Sequence, residues 1–188
     1  MVQTDITCFE PMALSKPLTV DDLLNYRLSR LLASSGAMVT LLCEGRYGIT
    51  RREWRMICIL AAHGAMSPSE LAQLAHLERP RVSRYITDLV MKKLLMRAVI
   101  PEDKRRARVG LTERGEQLYA ELFPQSVELN NTVLQVLSQT ERTLFDTALR
   151  RLTEAADKLC SMRPIDIKAD RQHGGSRRIF EAKPAKVF

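Results

Sequence analysis

The sequence predicts a mostly α-helical chain carrying one small β-hairpin, and three observations predict it. Apolar residues recur at three- and four-residue intervals over most of the span from Val20 to Leu159, which is the period of a helix. Helix-start signals punctuate that span: Thr50 with Glu53, Ser67 with Glu70, and Thr112 ahead of Glu113 and Glu116. The helical period lapses where Met96 to Ile100 and Arg108 to Leu111 form β-capable runs around Pro101-Glu102-Asp103-Lys104-Arg105-Arg106.

At 188 residues the chain is long enough for one good core, and 45% hydrophobic with 27% charged residues is a globular composition. No apolar run approaches a membrane span, and the start MVQTDITCFEP lacks the basic and apolar regions of a signal peptide, so a cytoplasmic protein is expected. The expected organisation is an extended arm over 1–17, a folded unit over 18–160 and a basic flexible tail over 161–188.

In order along the chain, Pro11, Ser15 and Pro17 keep the arm extended. From Val20 to Leu42 a wide apolar stripe, including Leu24, Leu28, Leu31, Leu32 and Leu42, predicts one long helix, with Asp21 and Asp22 at its favourable N-terminal end. Gly45, Tyr47 and Gly48 break it. Thr50 caps a second helix with Trp54, Ile57, Cys58, Leu60 and Ala61 on its apolar face, up to Gly64. Ser67, with Pro68 at the first helical position, starts a short third helix in which Leu71, Leu74 and Ala75 share a face, and the chain turns near Leu77. Pro80 sits in the first turn of a fourth, whose apolar positions are Val82, Ile86, Leu89, Val90 and Leu94. After the hairpin, Thr112 caps a long helix that Pro124 is expected to kink, and a last helix starts near Ser138 or Thr140 and runs past Leu159.

The fourth helix opposes its apolar face with Arg79, Arg81, Ser83, Arg84 and Thr87. Arginines and hydroxyls at the exposed N-terminal end of a helix suit guanine edges and phosphate oxygens in a DNA major groove, into which a helix fits. The hairpin tip, with Lys104, Arg105 and Arg106, suits a neighbouring minor groove or the phosphate backbone. The two short helices and the hairpin therefore read as a helix-turn-helix followed by a wing, over about 50–111. Charge placement agrees: the net charge is +7, and Arg79 to Arg108 alone holds ten Lys or Arg against three Asp or Glu. Such concentration is the footprint of counterion release from DNA.

The run ELAQLAHLERPRVSR, followed by PEDKRRARVGLTERG, resembles the MarR family of winged-helix transcription regulators. The resemblance covers roughly 20–160. It implies dimerisation helices at about 20–43 and 112–160, a homodimer on a pseudo-palindromic operator, and repression released by a small aromatic or N-heteroaromatic acid in control of a catabolic pathway. It also implies that Arg105 contacts the minor groove or phosphates while Asp103 orients a nearby arginine. His76, Glu78 and Leu94 depart from the family pattern, His76 and Leu94 standing where Gly often takes a left-handed conformation.

Other functions have weaker sequence support. There is no Gly-rich phosphate loop, nucleophile elbow or Cys/His cluster at metal-ligand spacing, so neither enzyme activity nor a cofactor nor a metal is expected. For an acidic effector, Arg27 and Arg30 are candidate anchors, and Tyr26, Trp54 and His63 candidate walls. Cys8 in the arm is the residue a thiol-based redox switch would use, whereas Cys43 and Cys58 read as core. A winged helix used for protein contacts alone is the remaining alternative, and it would not need the arginines on one side.

Overall fold

The structure, a computed structural model, describes residues 14–100 and 103–162, with 99, 100 and 103–106 described by backbone alone. Most of the expected arm, Cys8 within it, and nearly all of the basic tail lie outside the described residues. Six α-helices and one antiparallel hairpin follow in the order α1 (Leu24–Leu41), α2 (Arg51–His63), α3 (Pro68–Leu74), α4 (Arg79–Met91), β1 (Leu95–Ile100), β2 (Asp103–Leu111), α5 (Glu113–Leu134) and α6 (Gln139–Met162). Among the described residues, no helix is long and apolar enough to cross a membrane.

The long first helix expected from Val20 to Leu42 is divided. Asp22 accepts hydrogen bonds from the Leu18 and Thr19 amides and the Thr19 hydroxyl at 2.9 to 3.1 Å, closing a 3-10 turn over Val20–Asp22. Leu23 is then extended, and α1 starts after it. A π-helical turn, Leu42–Arg46, finishes the segment and carries Cys43 into the core.

The remaining helix starts follow the predicted chemistry. Thr50 and Glu53 form a reciprocal capping box on α2, Ser67 and Glu70 form one on α3, and Thr112 accepts from the Gly115 amide at the head of α5. Ser138, not Thr140, starts α6: its hydroxyl and amide bond the Glu141 carboxylate, and the Glu141 amide bonds back. These bonds hold the Glu70 and Glu141 carboxyls below the usual carboxylate range. Helix α5 continues through Pro124, and just beyond it Gln125 and Ser126 donate side-chain hydrogen bonds to the carbonyls four residues back.

The core lies between α2, α3, α4 and the root of the hairpin. Ile57, Leu71, Val82, Leu89 and Val109 are sealed there, with Leu122 of α5 closing one side. Of the predicted face, Leu71 of α3 and its C-cap residue Ala75 are buried but Leu74 is exposed, its place against the core taken by Ala72 and, past the turn, by Leu77. Leu94 is buried beyond the end of α4, not on it. The hairpin pairs Leu95 with Leu111 through Val99 with Ala107, then shifts register to set Ile100 opposite Asp103. Asp103 to Arg106 thus belong to the strand backbone rather than to a loop. Met66 adds a bridge to Val109, with amide–carbonyl distances of 3.0 and 2.8 Å, which the sequence did not disclose.

Among the described residues, two non-glycine residues adopt positive φ: His76 at 51° and Lys93 at 60°. His76 is one of the two positions where glycine was missed. The other is Lys93, not Leu94, since Leu94 must turn its side chain into the core while its carbonyl accepts from the Thr112 amide.

Candidate nucleic-acid interface

Helix α4 is seated by Val82, Ile86 and Leu89, all sealed from solvent, and this fixes what its other face presents. Arg79, Arg81, Ser83, Arg84 and Thr87 are all exposed on that face. Glu78 is the N-cap, with no side-chain cap bond, so the first turn keeps free amides beside the arginines. The turn before α4 is held from behind, where the Arg55 guanidinium donates to the Ala75 carbonyl at 3.3 Å. The C-terminal end of α4 is held by an ion pair: Lys92 Nζ lies 2.8 Å from Glu53 Oε1 and 2.9 Å from Oε2, and the Glu53 side chain is 3% exposed. Because Glu53 also caps α2 through the Thr50 amide, one carboxylate joins the start of α2 to the end of α4.

The backbone of Asp103, Lys104, Arg105 and Arg106 forms the first part of β2, at the end of the hairpin away from its root, but their side chains lie outside the described residues. Two basic residues that sequence reasoning had left unassigned are placed. Arg97 of β1 donates to the Thr87 hydroxyl at 3.0 Å, and Arg108 of β2 donates to the Ala65 carbonyl. The signal for Arg97 was its strand register, available only once the pairing was known.

The five residues put forward for an acidic effector are not gathered. Trp54 and His63 both belong to α2, but nine residues separate them, roughly 14 Å along the axis and half a turn in direction. His63 is exposed at the helix end, while Trp54 is 6% exposed against Tyr119 of α5, ring centroids 5.8 Å apart; Tyr119 in turn stacks on Phe123 at 4.9 Å. Arg30 pairs with Asp21 at 3.4 Å on an exposed surface, and Tyr26 and Arg27 lie on α1 beside it. A cation missed in the sequence shares α2 with Trp54. Arg51, one turn before Trp54 on α2, lays its guanidinium over Gly36 of α1, so close that any side chain at position 36 would displace it. The signal was Gly36 itself, the buried residue within α1.

Two clefts occur elsewhere. One of about 540 Å³ lies between α5 and α6 over Pro124, Asn131 and Arg142, and one of about 260 Å³ is lined by Tyr47, Lys92, Lys93, Arg114 and Leu118. Burial pushes the Cys43 thiol up to about 11 and the Cys58 thiol up to about 12, so both are protonated at neutral pH.

A three-helix head, a two-stranded wing and a basic exposed helix define the winged helix-turn-helix class. The comparisons with known proteins narrow it. The family model described as "MarR family" matches residues 49–107. The HTH-type transcriptional regulator FarR of Neisseria gonorrhoeae is 32% identical over 113 residues, 60% of this chain and 77% of the relative. The homoprotocatechuate degradative operon repressor of Escherichia coli is 25% identical over 130 residues, 68% of this chain and 83% of the relative. The solved structure of NadR in complex with 4-hydroxyphenylacetate superposes with a TM-score of 0.58 at 27% identity, covering 71% of this chain and 98% of that one. The chain belongs to the MarR family of transcription regulators.

Proposed function

We propose that this regulator is a cytoplasmic homodimeric repressor that grips a pseudo-palindromic operator with α4 and the wing and lets go when a small aromatic acid binds. The observation that carries the dimer is α6, which buries none of its side chains and leaves Leu144, Phe145, Leu152 and Leu159 exposed. Helix α1 does likewise with Leu31, Leu32, Met38 and Leu41. So much unpartnered apolar surface is the signature of an interface between subunits. In that dimer Arg79, Arg81, Ser83, Arg84 and Thr87 of each α4 face successive major grooves, roughly 34 Å apart, and Lys104, Arg105 and Arg106 of each wing reach the flanking backbone.

The effector is an aromatic acid by two lines of support. Similar proteins include a repressor of an aromatic-acid degradative operon and a structure holding 4-hydroxyphenylacetate. This chain has an aromatic ladder, Trp54, Tyr119 and Phe123, between α2 and α5, with Arg51 one helical turn before Trp54 and its guanidinium over Gly36 of α1. In this reading the ring packs on the ladder and the carboxylate takes a charge-assisted hydrogen bond from Arg51, with Arg27 of α1 as a second cation. Glu53, two residues from Arg51, carries the change to the end of α4 through Lys92.

The chain holds one tryptophan, so its fluorescence reports directly on that ladder. Titration with 4-hydroxyphenylacetate and related acids should change Trp54 emission and release a bound duplex in parallel. Arg51→Ala should abolish both, and Arg30→Ala neither. Release that survives Arg51→Ala but fails in a Lys93→Ala/Arg114→Ala protein would move the effector to the basic cleft at Tyr47. Release by peroxide alone, lost in Cys8→Ser, would replace the acid with an oxidant.

A further inference from the structure

Of the residues on the exposed face of α4, Thr87 is the one whose hydroxyl is already engaged both as donor and as acceptor. Its hydroxyl has a single proton, which it donates to the Ser83 carbonyl at 3.0 Å, and it accepts from Arg97 Nη2 at 3.0 Å. A hydroxyl so engaged has no proton left for a base or a phosphate. It is a bracket, and what it holds is a guanidinium.

The strand register explains how Arg97 comes to be there. In an antiparallel pair, residues directly opposite project from the same face, and Arg97 pairs with Val109 two positions along from the Leu95–Leu111 pair. Leu95 and Val109 are sealed in the core against the head, so Arg97 leaves the hairpin on its inward side, toward α4, rather than outward. It is nevertheless exposed. The side chain therefore crosses from the wing root and ends on the surface of α4 at Thr87, one turn from Ser83 and Arg84.

We infer that Arg97 is a specificity-determining contact to the DNA bases, positioned by Thr87; the inference rests on the proposal that α4 enters the major groove. A guanidinium has two edges able to make parallel hydrogen bonds. Thr87 uses one Nη2 proton, which leaves at least one edge intact for the O6 and N7 acceptors of a guanine. Thr87 fixes the plane of the fork, and the strand fixes its reach. The base read by Arg97 lies on the wing side of those read by Arg81 and Arg84.

The test is selection from a random duplex library by the full-length protein, followed by affinity measurement on the enriched duplex and a scrambled one at several salt concentrations. Arg97→Lys keeps the charge but loses the fork. It should lower affinity for the enriched duplex roughly 5- to 150-fold, leave the scrambled duplex and the salt slope unchanged, and erase the guanine preference at one position per half-site. Thr87→Val, which keeps the shape and removes the acceptor, should reproduce that loss at the same position, and Thr87→Ser should restore it. Equal losses on both duplexes, or full guanine preference in Thr87→Val, overturn the proposal while leaving DNA binding by α4 in place. Failure of the parent protein to enrich any duplex removes that reading and this proposal together. Melting temperatures within a degree or so of the parent's are expected for all three variants, since Arg97 and Thr87 are exposed; a large drop would assign the pair to structure.

Discussion

Helices α2, α3 and α4 with the hairpin root bring Ile57, Leu71, Val82, Leu89 and Val109 into one sealed cluster, whereas α6 has no buried side chain at all. Both regions show helical apolar periodicity in sequence. The difference is that the head has enough elements crossing at different angles to enclose its own core, while α6 extends away from them. A long amphipathic helix that leaves Leu144, Phe145, Leu152 and Leu159 exposed is the surface on which the proposed dimer rests. The head is thus a unit whose stability is internal, whereas in the proposed dimer the stability of the long helices depends on concentration.

The largest expected effect breaks the second region alone. Leu144→Asp with Leu152→Asp should weaken self-association by roughly a thousandfold, about 4 kcal/mol, because two centrally placed apolar anchors become charges. Sedimentation at micromolar concentration should show monomer, with the head still melting cooperatively; an unchanged dimer would put the interface elsewhere. Next comes the first region. Lys92→Met leaves the sealed Glu53 carboxylate without its cation and should cost about 3 kcal/mol, seen as a drop in melting temperature that does not vary with protein concentration.

Gly115→Ala sharpens the boundary between the two. A Cβ there would lie 2.2 Å from the Leu94 carbonyl oxygen, so the start of α5 must move off the end of α4, at a cost of about 1 to 3 kcal/mol. Thr112, which donates to the Lys93 carbonyl at 2.7 Å, loses its alignment at the same time, and hydrogen exchange should rise at the wing root before it rises in α6. The smallest effect is acid. Hydrogen bonds from Ser67 and Ser138 depress the Glu70 and Glu141 carboxyls below the value of 4.5 typical of the free group. The stability they contribute is fully present above about pH 4.5 and lost as pH falls through their lower folded values. Glu70→Gln should flatten that part of the melting-temperature profile for the head, and Glu141→Gln the part that follows α6.

Local signals read correctly where the chemistry is local. Thr50 with Glu53, Ser67 with Glu70, and Thr112 are caps because each needs only residues three positions away, so their spacing alone sufficed. They failed where a competing local bond was stronger than the pattern. Asp22 was expected to sit in the first turn of a long helix, but its carboxylate finds Leu18 and Thr19 first, so the helix starts after Leu23. The left-handed residue at the end of α4 fell on Lys93 because Leu94 had a core to enter, a demand that no propensity records.

The candidate site divides in the same way. The exposed face of α4 was legible, since Val82, Ile86 and Leu89 fix by periodicity which residues remain outside. Arg97 and Arg51 were not, because each is a long side chain crossing from one element to another, and its destination depends on strand register in one case and on helix packing over Gly36 in the other. The wall residues Trp54 and His63 were grouped by chemical type, and the helix turned them to opposite sides.

By itself, then, the sequence determined the number and order of the helices, the caps of α2, α3 and α5, the hairpin and the basic face of α4, all of them consequences of interactions within about four residues or of a repeating period. Only the tertiary structure decided that Met66 joins the wing, that Glu53 ties α2 to α4, and that Thr87 holds Arg97. Those facts depend on distances between residues far apart in the chain, such as the 39 positions between Glu53 and Lys92, and such distances are set by how whole elements pack, not by any residue's own preference.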